Sequence, residues 1–80
     1  MIAHPKVMSL RFVSSDMEPA GYLMVQTDDL QLAKAIARRW AEQKLNRPFD
    51  TVEEHHGLMD PPGLEMSEVF EGVRVWELPF

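Results

Sequence analysis

Residues 28–45 read DDLQLAKAIARRWAEQKL, and this stretch decides the fold. At about 100° per residue, Ala33, Ile36, Ala37, Trp40 and Ala41 share one face, with Leu30 and Leu45 at its rim. Gln31, Lys34, Arg38 and Glu42 fall opposite. The interior holds good helix formers and neither Gly nor Pro. The pattern predicts one amphipathic helix over 28–45. Asp28 is the expected N-cap, because its carboxylate can accept from the free N–H groups of the first turn, with Gln31 three residues on. Arg38, Arg39, Lys44 and Arg47 lie towards the negative end of the helix dipole, and Pro48 forces a stop. Three alanines on the apolar stripe imply close approach to a neighbour, and Trp40 supplies most of the apolar area.

Upstream, Val7 to Ser14 reads as a strand with Met8, Leu10 and Phe12 on one face. Ser14 to Ala20 contains turn formers and a proline. Gly21 to Thr27 reads as a second strand. The connection is too short for a crossover, so the two strands should pair antiparallel.

Downstream the pattern is weaker. Asp50 to Glu53 fits a short capped helix or an extended connection, because Thr51 and Val52 are β-branched. Gly57 is expected to end either form. Met59 to Gly63, with two prolines, is a bend. Leu64 to Glu71 fits a helical turn or a strand. Val73 to Leu78 reads as a strand, with Val73 and Val75 on one side and Arg74, Trp76 and Leu78 on the other. If Leu64 to Phe70 is extended, Glu71-Gly72 makes a tight hairpin into it. Pro79 would cap that strand at an edge, and Phe80 would fold back on the core.

The expected fold class is α+β. One domain over 1–80 has an antiparallel sheet of three to four strands, in the order β-β-α-linker-β(-β), with the helix packed on one face. The second sheet face, carrying Val7, Val13 and either Leu23/Val25 or Tyr22/Met24, then meets solvent, the linker or another chain.

Composition narrows the function classes. Eighty residues with 45% hydrophobic content suit one small globular domain. The absence of cysteine excludes disulfides, zinc–thiolate sites and thiol catalysis, and fits a cytoplasmic location. No apolar run approaches the roughly 20 residues of a membrane-spanning helix, and the N-terminus lacks a signal-peptide pattern. The formal net charge is −5, and residues 48–80 hold eight acids against one base. That balance argues against nucleic acid, since phosphate binding needs a net positive surface; Lys34, Arg38, Arg39, Lys44 and Arg47 are scattered around the helix.

The serines lack a Gly-x-Ser-x-Gly setting and the glycines are dispersed, so an enzyme is not expected and no cofactor is implied. Glu53-Glu54-His55-His56 is the one cluster of metal-ligand types, with Asp60 and His4 as further donors. Neighbouring side chains on a regular strand or helix diverge, however, so His55 and His56 cannot both chelate one ion without a loop. The reading that follows is a small acidic protein-binding module: an inhibitor, adaptor or regulatory subunit. It would dock on a basic protein surface through Asp60, Glu65, Glu68, Glu71 and Glu77. The alternative is a metal- or small-molecule-binding protein centred on His55 and His56, with Glu53. An uncovered sheet face or edge strand also makes a homodimer an expected arrangement.

Overall fold

A computed structural model describes residues 6–78 of the chain. The elements run β1 (Val7–Val13), β2 (Pro19–Val25), α1 (Leu30–Lys44), β3 (Thr51–Met59), a 3₁₀ turn (Leu64–Met66), β4 (Ser67–Phe70) and β5 (Val73–Leu78). All strand pairs are antiparallel and form one sheet in the order β3-β1-β2-β5-β4. The α+β class is as expected, but the sheet has five strands rather than three to four. His4, Pro79 and Phe80 lie outside the described residues. No helix among the described residues is long and apolar enough to cross a membrane.

α1 is shorter than the 28–45 pattern, and its cap is Asp29 rather than Asp28. Asp29 has extended backbone angles, and its Oδ1 accepts from Gln31 N at 3.0 Å and Leu32 N at 3.3 Å. Thr27 Oγ1 accepts from Asp29 N at 3.2 Å, which holds the turn one residue later than the charge pattern implied. The buried residues of α1 are Ala33, Ile36, Ala37, Trp40 and Ala41, the stripe read from the sequence. They pack on Met8, Leu10 and Phe12 of β1, Leu23 and Val25 of β2, Val52 of β3, Phe70 of β4 and Val75 of β5. Trp40 lies stacked on Phe12 with ring centroids 6.0 Å apart.

The main correction concerns residues 49–71. Thr51 to Met59 is one extended strand that runs through Gly57 instead of ending there. β-branched Thr51 and Val52 favour the extended start, and Val52 fixes it by entering the core. Ser67 to Phe70 is also extended, and a two-residue turn joins it to β5. Glu71 and Gly72 have φ of 52° and 83°, the left-handed angles this turn needs to match the twist of its strands.

The face away from α1 carries a second, smaller cluster of Val7, Met24 and Trp76, with Met59 and Leu78 packed against it. It is therefore Tyr22 and Met24, not Leu23 and Val25, that point away from the helix. β3 and β4 occupy opposite edges, so the 60–66 connection must traverse the sheet. It does so on this second face, where Trp76 Nε1 donates to Gly63 O at 2.9 Å. The connection supplies the cover that a single helix cannot.

Candidate functional site

The acidic residues expected to meet a partner are largely engaged within the chain. Glu68 Oε1 accepts from Trp40 Nε1 at 2.9 Å, and Glu68 Oε2 pairs with Lys44. Lys44 and then Trp40 hold the Glu68 carboxyl below the usual range. Both Glu71 oxygens accept from Arg39 Nε, at 2.8 and 2.9 Å. Asp60 pairs with Lys6 at 2.6 Å. Glu65 turns its carboxylate over Gly63, where an added Cβ would stand 2.9 Å from both oxygens. Glu77 is exposed near the end of β5. Glu65 and Glu77 have no ion pair among the described residues. Glu68 and Glu71 thus come together beside α1 on one edge of the sheet, whereas Asp60 follows β3 at the other.

Around the β4 edge two apolar side chains remain in water: Met66 is 81% exposed and Val69 60%. The hairpin turn makes Phe70/Val73 and Glu68/Val75 the hydrogen-bonded pairs of the ladder, so the N–H and C=O of Val69 point outward from the sheet. A groove of about 280 Å³ opens beside it, lined by Pro62, Gly63, Glu65, Met66 and the Trp76–Leu78 end of β5, Glu77 included. β3, the other edge, is longer but defended by a bulge and by charged side chains, the usual devices against unwanted pairing.

The histidines occupy that bulge. Between the pairs Leu10↔Glu54 and Met8↔Leu58, β1 has one residue, Ser9, and β3 has three, His55, His56 and Gly57. The two extra residues break the alternation that would separate neighbouring side chains, and the rings of His55 and His56 come within 4.1 Å. His55 also meets Tyr22 of β2 at 4.8 Å, so its ring reaches across β1 on the face away from the helix. Arg11 Nη2 donates to Glu53 Oε2 at 2.8 Å on the same face. Desolvation first, then the nearby His56 and Arg11, lower the affinity of His55 for a proton. Among the described residues no three His, Asp or Glu side chains are grouped so as to hold a metal ion.

Two polar atoms in this region are buried without a partner, Ser9 Oγ and Arg11 Nε. Ser9 is 0% exposed. Removing an unsatisfied buried hydroxyl relieves its desolvation cost. Ser9→Ala is therefore expected to stabilise the fold by about 1 kcal/mol, read as a higher urea midpoint with an unchanged slope. A lower midpoint would show that the hydroxyl is satisfied. Sequence reading gave Ser9, Arg11 and Tyr22 no role in a site. A glycine directly after two polar residues inside an extended run was the one available hint of a bulge.

Comparison with family models, with characterised proteins and with solved structures found no match.

Proposed function

We propose that this protein works by binding another protein, with the β4 edge and the 3₁₀ turn as its docking surface. The observation that carries the reading is the exposure of Met66 and Val69 at an edge strand whose backbone offers unused hydrogen-bonding groups. Glu65, Glu68 and Glu71 form the rim, and an apolar centre with a polar rim is the ordinary anatomy of a protein interface. Rim carboxylates and a net charge of −5 favour a basic partner surface through steering more than through affinity. The half-exposed pairs of Glu68 and Glu71 leave spare acceptor positions on each carboxylate, so both can accept from a partner without giving up Lys44 or Arg39.

A photo-crosslinking residue at position 69, in cells that make the protein, tests this against the same residue at position 34 on the back of α1. The expected result is a defined adduct from position 69 alone, reduced about tenfold by Glu65→Lys with Met66→Asp, which corresponds to roughly 1.4 kcal/mol of binding. Equal yields from both positions, or indifference to the two substitutions, would remove the reading. Pairing of β4 with a second copy is the competing arrangement, and an adduct of twice the chain's mass would reveal it.

A further inference from the structure

The bulge in β3 has a construction that protein docking at the opposite edge does not use. The His55 ring reaches across β1 to Tyr22, the register partner of Arg11, within a bulge that lies opposite Ser9. The two buried polar atoms without partners, Ser9 Oγ and Arg11 Nε, belong to the stretch of β1 that faces this bulge and its flank. In the bulge itself, Gly57 has open space where a side chain would be. Each orphaned donor would gain water if the strand lifted, which offsets part of the cost of opening this part of the ladder.

Among the described residues, the titratable and charged groups on this face near the rings are Arg11 from β1, Tyr22 from β2, and Glu53 and His56 from β3, with the Lys6–Asp60 pair at the far end of the strand; Arg74 of β5 and Glu65 of the 60–66 connection share the face on the β4 side of the sheet. Glu54 pairs with Leu10 and belongs to the helix side. The carboxylate that this face presents from β3, Glu53, is taken by Arg11. α1 packs on the other face and contributes nothing here.

We propose that the His55–His56 bulge is an acid-operated latch. With both imidazoles neutral, the His55 ring lies against Tyr22 and His56, and β3 is closed on β1. When both rings take up protons from solvent, two imidazolium groups and the Arg11 guanidinium surround one carboxylate that is already paired. Like charges at such separations repel, and the desolvated ring must recover its water. The segment from His55 to Met59 then lifts from β1, while the pairing from Thr51 to Glu54 stays in place. The sign follows from linkage. The closed form holds the His55 proton more weakly than the open form, so the latch is fully shut above the ordinary histidine value of roughly 6.5. It loosens as pH falls below that value.

Amide hydrogen exchange of the full chain between pH 7.5 and 5.5 tests the latch, with protection of residues 55–59 referred to that of β2. The expected result is a fall of about tenfold in relative protection in the native chain, and no fall in the His55→Gln, His56→Gln variant. Constant relative protection in the native chain, or the same fall in the variant, would overturn the proposal. NMR titration of the His55 ring is a second readout that needs no variant. Titration of His55 at the ordinary histidine value would equally overturn it, whereas a His55 step below that value is expected.

Discussion

Trp40→Ala is expected to remove about 3–5 kcal/mol of folding stability, as measured by urea denaturation. The side chain is 1% exposed and fills the space between α1 and the sheet, stacked on Phe12. A small domain has on the order of 5–15 kcal/mol in total, so this one change consumes much of the margin. The loss has two parts. Most is the cavity beside Phe12 and Ile36, which helix and sheet can only partly collapse to fill. The rest is the indole N–H that meets Glu68, since its removal leaves Oε1 of a half-buried carboxylate to water. Trp40→Phe separates the two, keeping most of the apolar volume while deleting the donor; it should cost about 1–2 kcal/mol. A Trp40→Ala protein within about 1 kcal/mol of the parent would mean that the helix does not close the core through this indole.

The second large effect is expected at Trp76, on the opposite face. This indole is 2% exposed, packs on Val7 and Met24, and donates to Gly63 O. Trp76→Ala should cost about 3 kcal/mol. It should also release the 60–66 connection, because a hydrogen bond and most of an apolar contact disappear together. Limited proteolysis is the second measurement: cleavage within 60–66 should rise in Trp76→Ala and stay near the parent level in Trp40→Phe. Loss of stability without new cleavage there would show that the connection is held by other contacts. The two tryptophans thus pin different things to the same sheet, one the helix and one the crossover.

What the sequence revealed depended on how regular each segment is. The stripe of α1 and the Met8-Leu10-Phe12 face of β1 were legible because each repeats at the period of its own element and the two pack against each other. Val75 and Trp76 were legible as strand residues, and both are buried, because β5 is covered on its two faces. β3 was not, since an edge strand with charged residues and a bulge shows no alternation to read. β4 has four residues, too few for any period to declare itself. For the candidate sites the difficulty was distance along the chain. Arg39 and Glu71 are separated by 32 positions, and Lys44 and Glu68 by 24, so no local pattern records that the acidic third pairs with the basic helix. The meeting of His55 with His56 was masked by the assumption of regular geometry, which the bulge breaks.

The position of β5 between β2 and β4 has a consequence for how the chain is made. The first hairpin and the helix can assemble from local sequence, but the second side of β2 is filled only by residues from Val73 onward. A ribosome-bound chain must therefore hold Leu23, Met24 and Val25 beside an empty flank while some fifty further residues are added. Aggregation, where it occurs, should begin between such half-built chains and not between finished molecules.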